Sequence, residues 1–146
     1  MRRAIDTNVL VMAHIAAMPH HERVRRYLVE QLALPETTLV VTPLILHEFV
    51  HVITDPRRFT PPVAMHEATA IARLYLDHAN IDCVAVDRHA MTMAIDLLDK
   101  HRLGRKRIAD TLLAATLLQN NVSEILTCNG NDFAVFNAFT LVDPTA

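Results

Sequence analysis

Apolar residues return along this chain in two rhythms: short unbroken runs, and longer stretches in which they recur every three or four positions. The first rhythm fits strands buried in a sheet, and the second fits helices with one face against a core. AIDTNVLVM opens as a buried strand through Ala4 and Ile5 and turns at Asp6, Thr7 and Asn8, residue types that favour caps and turns, so a helix follows. HHERVRRYLVEQLA places Val24, Leu28 and Leu32 on one face, which predicts an amphipathic helix ending near Pro35. TTLVVT reads as a second strand. Thr42 and Pro43 then form a helix start, Thr as N-cap and Pro at the first position, and that helix runs to about Thr54 before the loop DPRRFTPP. A helix over residues 63–78, a strand at CVAV, a helix over 88–101 and the basic loop RLGRKR follow. The strongly helical IADTLLAATLLQNN leads to a strand EILTC, a turn with a short helix in NGNDFAVF, and a last strand FTLV. Strands alternating with helices predict an α/β fold, a largely parallel sheet with helices on both faces.

Length changes this picture only by limiting it: 146 residues suit one domain spanning 1–146. A hydrophobic share of 51%, with 2 Gly and no Trp, marks a helix-rich globular chain. Fourteen Lys+Arg against sixteen Asp+Glu leave a net charge of -2, which excludes the basic footprint of a general nucleic-acid coat but leaves room for a local basic patch. Cys83 and Cys128 lie far apart and form no Cys-x-x-Cys pair, so a reducing cytoplasm is expected rather than a disulfide scaffold or zinc ribbon. The N-terminus imitates a signal peptide, but Asp6, Asn8 and His14 interrupt its apolar run. No stretch reaches the ~18 apolar residues of a membrane span.

In open α/β sheets ligands bind beyond the carboxyl ends of the strands. Asp6 follows the first strand, Asn129 and Asp132 follow EILTC, Glu48 lies just over one turn into the helix after TTLVVT, and Asp110 begins the helix after the basic loop. Singly, each has a plain structural reading: Asp6 and Asp132 as caps, Asp110 as a first-turn acid, Glu48 on a solvated face with Leu44, His47, His51 and Asp55. Together they have a chemical meaning that capping lacks. Carboxylates held close repel one another unless a cation sits among them, and hard ions such as Mg²⁺ or Mn²⁺ prefer oxygen. Such a site hydrolyses phosphoesters. A competing signal is HEFVH at residues 47–51, whose His47, Glu48 and His51 have the spacing of a zinc metalloprotease helix. Its extended form would need Gly and His where Thr54 and Arg57 stand, and nothing marks Glu67 as a third ligand.

AIDTNVL, HEFVHVITDPRRF, RIADTLLAATLL and LTCNGNDF, in this order and spacing, resemble the PIN domain, and most closely the VapC-type ribonuclease toxins of toxin–antitoxin pairs. The resemblance spans nearly the whole chain. It implies a Mg²⁺- or Mn²⁺-dependent endoribonuclease on a parallel sheet of about five strands, homodimeric and inhibited by an antitoxin. It carries catalytic and metal-binding roles onto Asp6, Glu48, Asp110 and Asp132, and supporting roles onto Thr7, Asn8, Thr127 and Asn129. Some members have Asp where this chain has Asn129, so the fourth ligand is Asp132 or Asn129, the former keeping the charge. Arg102, Arg105, Lys106 and Arg107, just before Asp110, are candidates for contacts to RNA phosphates. Two rivals stay open: the zinc protease, and a non-catalytic RNA-binding or interaction module on the same fold.

Overall fold

The computed structural model describes residues 1–146. β1 (Arg2–Ile5) leads into α1 (Thr7–His14) and α2 (His21–Ala33); β2 (Thr38–Val41) leads into α3 (Pro43–Ile53) and α4 (Met65–Asp77). β3 (Ile81–Cys83) is followed by α5 (Arg88–Lys100), a 3-10 turn (Arg105–Arg107) and α6 (Ile108–Gln119). β4 (Glu124–Leu126), α7 (Asn131–Ala134) and β5 (Thr140–Val142) complete the chain. No helix is long and apolar enough to cross a membrane.

The five strands form one sheet in the order β3-β2-β1-β4-β5, with every pairing parallel. The central strands carry the apolar runs: Ala4 and Ile5, Leu39 to Val41, and Ile125 and Leu126 are all buried, as expected of parallel strands covered on both faces. The chain winds outward from β1 to β2 and β3, then crosses back to β4 and winds the other way. Right-handed crossovers therefore place α1 to α4 on one face and α5 to α7 on the other. Packing agrees, since α1 meets α2 and α3, α3 meets α4, and α6 meets α5 and α7. The reversal leaves a switch point between β1 and β4, where a crevice opens beyond the strand ends.

Two expectations need adjusting. The third strand is Ile81–Cys83, not CVAV: Leu39 pairs with Ile81 and Val41 with Cys83, and the backbone leaves the sheet once Val84 has bonded to the Val41 carbonyl at 3.0 Å. As an edge strand it accommodates Asp82, which pairs with Arg2 at 2.6 Å and hides the strand from an apolar-run reading. The basic loop also contains structure, the 3-10 turn that delivers the chain into α6. α6 is apolar nearly all round because it is buried, Thr111 and Leu113 to Leu117 all lying in the interior.

Candidate active site

Asp6 stands where β1 stops. Its backbone N–H still bonds to the Leu126 carbonyl of β4 at 2.9 Å, while its extended φ of -73° and ψ of 153° turn the chain into α1. The carboxylate accepts from the Thr7 N–H at 2.8 Å through one oxygen and from the Thr127 hydroxyl at 2.8 Å through the other. Thr127 is itself held, its N–H on the Val142 carbonyl at 2.9 Å and its hydroxyl accepting from the Asn129 N–H at 3.0 Å. Asp6 is thus both a cap and an oriented acid. Thr7 acts through its backbone rather than its side chain, and Asn8 is exposed on the first turn of α1.

Glu48 comes from α3, whose start is fixed by Pro43 at the first position and by the Thr42 hydroxyl accepting from the Ile45 N–H at 3.2 Å. Leu46, Phe49 and Ile53 bury one side of this helix. Glu48 lies on the other, exposed beside His47 and His51. Asp110 is in the first turn of α6, with its side chain 32% exposed and a carboxylate oxygen 3.9 Å from Arg107 Nε. Asp6, Glu48 and Asp110 line one cleft of about 550 Å³, together with His47, His51, Arg105 and Lys106 and an apolar wall that includes Leu44 and Ile108. Asp132, on α7, lines the adjoining depression with Asn129. It is near enough to raise the pKa of both Asp6 and Asp110 by its charge.

The electrostatics are those of crowded anions. Burial pushes the Asp110 carboxyl up to about 6, helped by the charges of Asp132, Asp6 and Glu48 and opposed by Arg107. Burial also raises Asp6, and Glu48 and Asp132 add to it, while its bonds from Thr127 and Thr7 pull the other way. Arg107 is the one internal counter-charge, a role the sequence reading missed: it is half-buried, its terminal nitrogen donates to the Asp132 carbonyl, and its Nε has no hydrogen-bond partner. Its position three residues before Asp110 on a helix start was the available signal. Of the basic loop, Arg105 and Lys106 border the cleft, Arg107 turns inward to the acids, and Arg102 is exposed and outside the lining.

No three Asp, Glu, His or Cys side chains stand close enough together to hold one metal ion between them. A tetrahedral zinc site on His47, Glu48 and His51 therefore lacks its third protein ligand. Mg²⁺ differs, because it keeps several waters and is held by one or two carboxylates with substrate phosphate oxygens. An open group of oxygen donors whose charges repel fits that requirement.

The PIN domain family matches residues 4–137. Ribonuclease VapC43 of Mycobacterium tuberculosis is 34% identical over 120 residues, covering 82% of this chain and 80% of its own. Among solved structures, VapC20 of Mycobacterium tuberculosis, described as a Sarcin-Ricin loop cleaving toxin, superposes with a TM-score of 0.72 at 16% identity, covering 94% of this chain and 96% of its own. VapBC-1 of nontypeable Haemophilus influenzae does so with a TM-score of 0.68 at 15% identity, covering 100% of each chain.

Proposed function

This chain belongs to the PIN domain family, and from that premise we propose that it is a Mg²⁺- or Mn²⁺-dependent endoribonuclease, the toxin of a toxin–antitoxin pair. Its relative VapC43 is a ribonuclease by name. The observation that carries the reading is the convergence of Asp6, Glu48 and Asp110, from three separate elements, on one cleft bordered by Arg105 and Lys106. Capping accounts for Asp6 alone; it gives no reason for acids from the β1–α1 junction, α3 and α6 to share a cleft in which Asp6 and Glu48 add to the raised pKa of Asp110.

Asp6, Glu48, Asp110 and Asp132 are the residues that would hold the ion. When bound, the ion would polarise the scissile phosphodiester and lower the pKa of the attacking water. Asp6 is set for this in advance, since both of its oxygens are oriented by hydrogen bonds that leave lone pairs free. Arg107 sets its positive charge beside the Asp110 carboxylate and donates to the Asp132 backbone carbonyl, so it ties the start of α6 to α7. Arg105 and Lys106 offer cations to the RNA backbone on the rim, so a polyanion approaches the acids along a positive edge. Partners follow from the same reading: a cognate antitoxin, and a second copy of the chain. Exposed Leu74 and Leu76 on α4, and Met91 and Ile95 on α5, are apolar side chains that such partners would cover.

The test is cleavage of single-stranded RNA in Mg²⁺ and Mn²⁺ by the parent, Asp6→Asn and Asp110→Asn. Both variants should lose metal-dependent cleavage and keep the fold, because Asn at position 6 still caps α1 and Asp110 is a partly exposed first-turn residue outside the core. Parent-like rates in either variant would show that the site lies elsewhere. RNA binding retained without cleavage by the parent in either ion would favour the non-catalytic module.

A further inference from the structure

The two histidines of HEFVH have no place in the proposed metal site, yet they face the same cleft as Asp6, Glu48 and Asp110. Both are exposed, so the core does not require them. Their rings lie within 20° of parallel with centroids 6.4 Å apart, so two similarly oriented flat rings stand one helical turn apart on this wall of the cleft. On the α6 side of the cleft stand Arg105 and Lys106, and also Ile108, an aliphatic side chain left 48% exposed. Acids at the centre, cations on one rim and flat rings on the other match the parts of a single-stranded nucleotide: the scissile phosphate, a neighbouring phosphate and a base.

We propose that His47 and His51 form a nucleobase platform, on which a base flanking the scissile phosphate stacks while Arg105 and Lys106 hold the backbone. This rests on the ribonuclease reading and adds a substrate-binding role to it. Single-stranded RNA is recognised largely by stacking splayed bases on aromatic side chains, histidine among them, and such stacking tolerates any base because every base has a π-face. The platform therefore supports binding and register rather than a choice of base. It also gives the two imidazoles a use compatible with an oxygen-ligated ion beside them.

Steady-state cleavage of a single-stranded oligoribonucleotide in Mg²⁺ tests it with three double variants: His47→Ala/His51→Ala, His47→Phe/His51→Phe and His47→Lys/His51→Lys. The Ala pair should raise KM about 5-fold or more, the low end of what losing one stacked base costs, and leave kcat nearly unchanged. The Phe pair should restore KM, since it keeps flat rings without nitrogen. An abasic nucleotide at the stacked position should raise KM for the parent and add nothing for the Ala pair, the non-additivity of two changes that remove one contact. A parent that cleaves RNA with a KM indifferent to the Ala pair overturns the platform alone. Rescue by Lys but not Phe overturns it in favour of a phosphate contact. Failure of the parent to cleave RNA in either ion removes the ribonuclease reading, and the platform with it.

Discussion

Thr127 shows how much of the proposed site depends on one buried hydroxyl. It is 2% exposed, donates to Asp6 Oδ2 and accepts from the Asn129 N–H, so it ties the oriented acid to the loop that carries Asp132. Thr127→Val keeps the shape and removes both bonds. Partners that orient a metal ligand are worth ~10–100-fold in affinity or activity, so the variant should cleave RNA at least ~10-fold more slowly and need more Mg²⁺ for half-maximal rate. Unchanged metal dependence would mean that Asp6 does not need this bond. Asp132 and Asn129 separate at the same scale. Asp132 is half-buried with its charge felt by Asp6 and Asp110, whereas Asn129 is exposed and occupied through its backbone; Asp132→Asn should therefore cost far more cleavage than Asn129→Ala.

At the scale of the element, α3 joins stability to chemistry. Thr42, fully buried at its start, caps the helix whose inner side buries Phe49 and whose outer side presents Glu48. Loss of an N-cap costs ~1 kcal/mol, so Thr42→Ala should lower the unfolding free energy by about that amount in a denaturant titration. Cleavage should persist, because the buried face still seats the helix. Glu48→Gln should do the reverse, leaving stability alone while reducing kcat at least ~10-fold, as expected when a charge is removed from a metal site. A Glu48→Gln protein with parental kcat would reduce Glu48 to a solvated surface acid.

For the whole molecule, the acids make the fold sensitive to pH and to divalent ions together. Asp6 and Asp110 hold their protons more tightly in the folded chain than in the unfolded one, Asp110 up to about 6. Folding therefore takes up protons between about pH 4 and pH 6, and these groups withdraw stability from the ion-free protein as the pH rises through that window. A divalent ion binds the ionised acids and restores it, with protons competing at low pH. Mn²⁺ should thus raise Tm more at pH 7.5 than at pH 5. Asp110→Asn should show little Mn²⁺ effect and an ion-free Tm at or above the parent's at pH 7.5, read by a thermal-shift titration. An equal Mn²⁺ shift at both pH values, or an undiminished one in Asp110→Asn, would detach the ion from this cleft.

The chain's own pattern determined the alternation of strands and helices, the Thr42–Pro43 start of α3 and the candidate acids, because these follow from local periodicity, capping and residue chemistry. The outer strand was less legible: Ile81–Cys83 is defined by its register on β2 rather than by a run of apolar residues. Only the tertiary structure decided which acids meet, since the reversal of winding at β1 and β4 brings residues 6, 48 and 110 to one cleft. It also decided that Arg107 turns inward to Asp110 and Asp132 while Arg105 and Lys106 stay at the rim. A run of like residues carries no label for direction, and packing assigns each its side.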